Sequence, residues 1–140
     1  MEIKAKGEIF RVSGPVVTAE GISPRMYDVV LVGHEKLMGE VIRLEGDKST
    51  IQVYEDTSGI MPGEPVENTG GSLSVELGPG LLRSIYDGIQ RPLPVLQDSM
   101  GDYILRGVSA PGLDHSVKWD FDASAKVGDE VSGGDILGTV

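Results

Sequence analysis

Between Gly7 and Asn68 no apolar stretch outlasts a single strand before turn-forming residues interrupt it, the punctuation of a small barrel or sandwich rather than a helical bundle. Ile9 to Val12 runs into Ser13-Gly14-Pro15, and Val16-Val17-Thr18-Ala19 resumes the pattern before Gly21. Pro15 has no N–H for a ladder, which predicts an edge or a bulge there. Asp28-Val29-Val30-Leu31-Val32-Gly33 is nearly continuous in apolar residues, as in a central strand covered on both faces. Met38 to Arg43 and Ser49 to Tyr54 flank Glu45-Gly46-Asp47-Lys48, whose glycine can take a positive φ, so they read as a hairpin. In its second arm Ile51 and Val53 alternate with Gln52 and Tyr54, the period of a half-buried strand. A turn at Met61-Pro62-Gly63-Glu64-Pro65 and a flexible stretch, Asn68-Thr69-Gly70-Gly71-Ser72, close a first β-barrel domain over residues 1–72.

The following segment, 73–110, reads as a linker with one short helix. Leu73-Ser74-Val75-Glu76-Leu77 has a short strand pattern, and Leu81, Leu82, Ile85 and Ile89 stand at helical offsets of three and four. Pro79 suits the helix start, and Gly88 with Pro92 suits its stop. Gln97 to Asp102 reads as a polar turn. From Gly107 the chain is again turn-rich, and two strands, Val127 to Val131 and Ile136 to Val140, are expected around Gly133-Gly134-Asp135. Gly-Glu-Pro-Val at 63–66 and Gly-Asp-Glu-Val at 128–131 suggest one turn device used twice, not a duplication. The apolar end at Val140 reads as a strand cut short, so 111–140 is a truncated, barrel-sandwich-like segment. The fold class is mainly β.

Twenty glycines against eight prolines agree with many tight turns. The net charge of −10 disfavours a phosphodiester partner. Residues 1–72 hold 7 basic and 12 acidic side chains, 73–106 hold 3 and 4, and 107–140 hold 2 and 6, so the middle is least acidic. Without cysteine there is no disulfide, thiolate nucleophile or Cys-based zinc site. No apolar run approaches the roughly 18 residues of a spanning helix, and Met-Glu-Ile-Lys-Ala-Lys lacks a signal-peptide core. A cytoplasmic location with no direct membrane insertion is expected.

Val12-Ser13-Gly14-Pro15-Val16-Val17, Gly39-Glu40-Val41-Ile42-Arg43-Leu44-Glu45-Gly46-Asp47 and Gln52-Val53-Tyr54-Glu55-Asp56-Thr57-Ser58-Gly59 resemble the barrel strands of rotary ATPase catalytic subunits. Leu73 to Gly80 and Tyr86-Asp87-Gly88-Ile89-Gln90-Arg91-Pro92-Leu93 also match, the latter with high specificity. Lys118-Trp119-Asp120-Phe121 and Gly133-Gly134-Asp135-Ile136-Leu137-Gly138 are similar to the start of an insertion carried by archaeal and vacuolar A subunits and lacking in the B subunits. The departures, Ser23-Pro24-Arg25 and Val95 to Gly101, read as variable loops. The resemblance implies a crown barrel at 7–70 that pairs side by side with B subunits in a ring of six. It also implies an insertion reaching toward the peripheral stalk, and a peripheral complex coupling ATP synthesis or hydrolysis to proton or sodium transport. In that family the phosphate loop and catalytic glutamate lie downstream of the insertion.

The phosphate-gripping pattern G-x-x-x-x-G-K-[ST] needs a Gly-Lys pair, which this sequence lacks. No catalytic, cofactor-binding or metal-binding residue is therefore assigned. ATP or ADP and Mg belong to the parent subunit, and the chain is expected to be inactive alone. Gly78-Pro79-Gly80 reads as a strand-to-helix turn rather than an anion loop. Gly133-Gly134-Asp135 with Asp129 and Glu130 falls short of calcium's six to eight oxygens and reads as a hairpin turn. His34 and His115 have no third ligand near them and read as surface residues. Trp119 and Phe121 mark either an interface or packing under the hairpin. Arg83 and Arg91 read as solvated helical positions, the alternative being a reach to acidic groups of the nucleotide domain or of a neighbour.

Two other functions fit parts of the chain. The stretch from Lys126 to Gly138 resembles the hairpin preceding the modified lysine of biotinyl and lipoyl carriers, yet no lysine follows on the next turn. The barrel pattern also suits a nucleic-acid-binding small barrel, which the acidic charge opposes.

Overall fold

The computed structural model describes residues 5–82, 84–101 and 105–140. They group into two compact units, 1–74 with 96–109 and 75–95 with 110–140, so the 73–110 segment contributes to both. In the first unit six strands, β1 (Ala5–Ser13), β2 (Val16–Glu20), β3 (Asp28–Val32), β4 (Leu37–Glu45), β5 (Lys48–Val53) and β6 (Pro65–Ser72), close into an antiparallel barrel. Its order is β1-β2-β5-β4-β3-β6, and closure comes from β1 against β6, with Gly7 opposite Val66. Asn68 to Ser72 is therefore not a flexible stretch: it is the second half of β6, paired with β3 from Asn68 opposite Val30 to Ser72 opposite Asp28, and Asn68 and Thr69 are buried.

Alternation fills the barrel. Val17 and Ala19 on β2, Leu37 and Val41 on β4, and Ile51 and Val53 on β5 point inward and join Ile9, Val30, Val32 and Val66 in one core. Gly39 on β4 stands opposite Val53 of β5 and is itself buried. A Cβ there would lie 2.7 Å from Ile51 Cγ2 and 2.9 Å from the Gln52 carbonyl oxygen, so only hydrogen fits. The expected hairpin is β4–β5, with Gly46 at φ 61. The expectation for β3 also holds, since Val29, Val30 and Val32 are all buried although Val29 stands outside the barrel-core cluster. Pro15 marks neither an edge nor a bulge. It sits in the two-residue turn between β1 and β2, where no ladder donor is needed, and its carbonyl accepts the Val53 N–H at 2.8 Å.

The bulges lie elsewhere. Pairing of β1 with β2 slips between Ile9 and Arg11, and pairing of β4 with β5 slips between Val41 and Arg43. The extra residues, Phe10 and Ile42, are thereby turned outward and remain exposed.

Three expectations for 73–102 fail. Leu73 to Leu77 is not a strand, and residues 81–89 are not a helix: a 3-10 turn spans Pro79–Leu81, and Leu82 and Ile85 are 78% and 66% exposed. The helix instead is α1, Leu93–Met100, through the residues read as a turn and a variable loop. Pro94 falls in its first turn, where a missing N–H costs nothing. Arg83 and Asp102 lie outside the described residues.

In the second unit the two long strands expected after Gly107 reduce to β7 (Asp122–Ala123) paired with β8 (Gly138–Thr139). Two turns occupy most of the chain between them. In Lys126-Val127-Gly128-Asp129 the Asp129 N–H donates to the Lys126 carbonyl at 3.1 Å, and the Asp129 carboxylate accepts the Lys126 N–H at 2.8 Å. Ser132-Gly133-Gly134-Asp135 repeats both bonds, at 3.1 and 2.7 Å. Met61-Pro62-Gly63-Glu64 in the barrel unit does so too, at 3.3 and 2.9 Å. Each third residue is a glycine at φ 89 to 101, as a type II turn requires. The repeated Gly-acid pairs are thus one local device used three times. Gly63→Ala should lower stability by about 1 kcal/mol, whereas Gly71→Ala, with no neighbour within 4 Å of its Cβ, should leave the urea midpoint unchanged.

Candidate functional site

The most specific sequence motif, Tyr86 to Leu93, folds into a closed turn in the second unit. The Asp87 carboxylate accepts the Ile89 and Arg91 N–H groups at 3.1 and 2.8 Å, while its other oxygen takes the Arg91 Nε–H at 2.7 Å. Tyr86 bridges to Pro92 across the mouth of the turn. Arg91 is therefore not a solvated helical position: its side chain is 11% exposed and paired with an Asp87 that is 18% exposed. Burial raises the Asp87 pKa, but the Arg91 amide, the guanidinium and the Ile89 amide outweigh it and hold the carboxyl below its ordinary range.

Gln90, in the left-handed region at φ 63, completes the turn. Its side-chain amide bonds the Glu76 backbone in both directions, each at 2.6 Å, and so replaces the strand pairing expected for 73–77. The Glu76 carboxylate in turn accepts the Leu113 N–H at 2.9 Å and meets His115 Nε2 at 3.0 Å. The Leu113 amide, then the His115 ring, lower its pKa. These bonds tie 75–95 to 110–117 through one glutamate and one glutamine.

Beside this node a cleft of about 730 Å³ is lined by Leu77, Tyr86, Pro92, Leu113, Val117 and Trp119, with Gly78-Pro79-Gly80 on its wall. Among the described residues its lining is mostly apolar and holds no lysine or arginine. Trp119 faces this cleft, whereas the Phe121 ring lies over Gly138 of β8, and both remain more than half exposed.

His34 is exposed, and its amide donates to Glu64 Oε2 at 3.0 Å. Among the described residues no three His, Asp or Glu side chains gather as a metal set, and no helix is long and apolar enough to cross a membrane. Asp129 and Asp135 spend their carboxylates on their own turns. On the barrel surface Phe10, Ile42 and Leu44 are exposed, with Lys48 Nζ 3.2 Å from the Phe10 ring centre. Sequence reasoning missed this face. Its signal was there: Ile9-Phe10 and Val41-Ile42 double an apolar residue within alternating strands, the mark of a bulge.

The class the fold defines is a two-unit β module: a closed six-stranded barrel and a turn-rich β unit. The family model for the beta-barrel domain of the ATP synthase alpha/beta family matches residues 9–70. The model for the barrel-sandwich domain of the ATP synthase alpha/beta subunits matches residues 110–140. The A subunit of the A-type ATP synthase of Methanoculleus marisnigri is 67% identical over 139 residues, 99% of this chain and 24% of its own length. The corresponding A subunit of Methanosarcina barkeri is 64% identical over 99% of the chain and 24% of its own length. That of Halobacterium salinarum is 63% identical over 96% and 23%. The chain belongs to the ATP synthase alpha/beta family, on the side of the A subunits of A-type synthases, and spans about a quarter of the length of these curated relatives.

Proposed function

We propose that this chain is an assembly module of the catalytic A subunit of an archaeal or vacuolar-type rotary ATPase, which couples ATP synthesis or hydrolysis to proton or sodium transport. The barrel joins neighbouring B-subunit barrels in a six-membered collar, and residues 111–140 begin an insertion directed at the peripheral stalk. The module itself holds no cofactor and performs no chemistry, and ATP or ADP with Mg binds elsewhere in the parent subunit. Its place is the peripheral sector on the cytoplasmic face of the membrane.

The observation that carries this reading is the near-complete alignment with A-type synthase A subunits, joined to a sequence without a Gly-Lys pair. The outward bulge residues Phe10 and Ile42, with Leu44, support the barrel contact, because apolar side chains on the outside of a closed barrel do nothing for its own core. Native mass spectrometry of an A/B ring whose A subunit lacks residues 1–70 tests it. Loss of the hexamer is expected, and an intact ring sinks the collar assignment.

A further inference from the structure

In the first unit the chain returns to the barrel through two fastenings of different chemistry. Leu96 is buried, but from Leu105 to Ser109 no side chain is. This second stretch is held by polar contacts. Arg106 grips Glu35 with one edge of its guanidinium, Nε to Oε2 at 2.6 Å and Nη2 to Oε1 at 2.8 Å. Its Nη1 donates to the carbonyls of Asp56, at 3.1 Å, and Ser58. The next amide, Gly107 N–H, donates to Glu55 Oε2 at 2.8 Å. One arginine thus bridges the β3–β4 loop and the β5–β6 loop. Gly107 is at φ 72, and a Cβ there would overlap the Glu35 carbonyl oxygen, so the close approach depends on glycine.

We propose that Arg106 and Gly107 form a polar latch, by which residues 105–109 release from the barrel loops as a unit while the barrel stays folded. An apolar seam would hold at any salt concentration. A guanidinium fork at a partly exposed site weakens as the screening length falls from about 10 Å at 0.1 M to about 3 Å at 1 M salt. The barrel core of Val17, Leu37, Val41 and Ile51 contains no charge and does not share that dependence.

Amide hydrogen exchange read by mass spectrometry tests this on the chain itself, with Arg106→Ala and Gly107→Ala as separate variants. Either variant, or about 1 M salt, should speed exchange at least tenfold in peptides covering 105–109, 33–36 and 55–58, with β2, β4 and β5 still protected. Unchanged protection in both variants overturns the latch. So does protection lost only together with the barrel strands.

Discussion

Gly39→Val is expected to destabilise the barrel severely. Gly39 lies opposite Val53, and its missing side chain is what lets β4 approach β5 over Ile51. A Cβ would meet Ile51 Cγ2 at 2.7 Å and the Gln52 backbone oxygen at 2.9 Å. The second contact is with backbone, which cannot rotate away. Relief therefore requires breaking ladder bonds between two adjacent strands of the closed sheet. Overpacking of a tight core costs about 1–3 kcal/mol before such disruption, and adding it brings the loss to about 3 kcal/mol or more, a large share of the roughly 5–15 kcal/mol of a typical domain. Urea unfolding should show a much lower midpoint at unchanged slope. A midpoint within error of the parent chain would refute the packing argument.

Asp87→Asn should produce the second large effect, confined to the second unit. Asparagine keeps the shape and an acceptor oxygen but removes the charge facing Arg91, a guanidinium only 11% exposed. Breaking a fully buried pair costs about 3–5 kcal/mol; with Asp87 18% exposed the loss should be nearer 2 kcal/mol. The same turn carries a pH signature. Because the folded pKa of Asp87 is lowered, its contribution is complete above the unfolded value of about 3.9 and drains as pH falls through the lower folded value. Glu76 titrates in the same direction, through the Leu113 amide and the His115 ring. Followed by NMR from about pH 6 to about pH 2, the Ile89 and Arg91 amide resonances should move with a midpoint below about 3.9, and Asp87→Asn should abolish that movement. A midpoint at or above that value would count against the assigned bonds.

The barrel strands were legible because their period is two and their turns carry glycine, so pattern and backbone demand coincide in Ile51 to Tyr54 and at Gly46. The bulges were less so, since Phe10 and Ile42 look like ordinary strand residues unless doubled apolar positions are counted. The helix was misplaced for a chemical reason. Leu81, Leu82, Ile85 and Ile89 have helical offsets, but the Asp87 carboxylate captures the Ile89 and Arg91 amides and Gln90 turns left-handed, so local side-chain bonding displaces the helical ladder. Asp87-Gly88 was the turn signal available. In the site region the motif Tyr86 to Leu93 was legible as a family signature, while its chemistry as a clamp around Asp87 and Glu76 was not.

Sequence alone determined the first five strands of the barrel, where its tight turns fall and that no Gly-Lys pair is written between Met1 and Val140, but not β6, whose glycines at 70 and 71 read as a flexible stretch. Those properties arise from a few neighbouring residues whose backbone preferences and period act locally. The tertiary structure decided that β1 closes on β6, that Gln90 stands in for a strand beside Glu76, and that Arg106 meets Glu35 across 71 positions. Such pairings depend on which hydrogen-bonding groups remain unspent when distant segments are packed together, and only the folded backbone brings those groups into range.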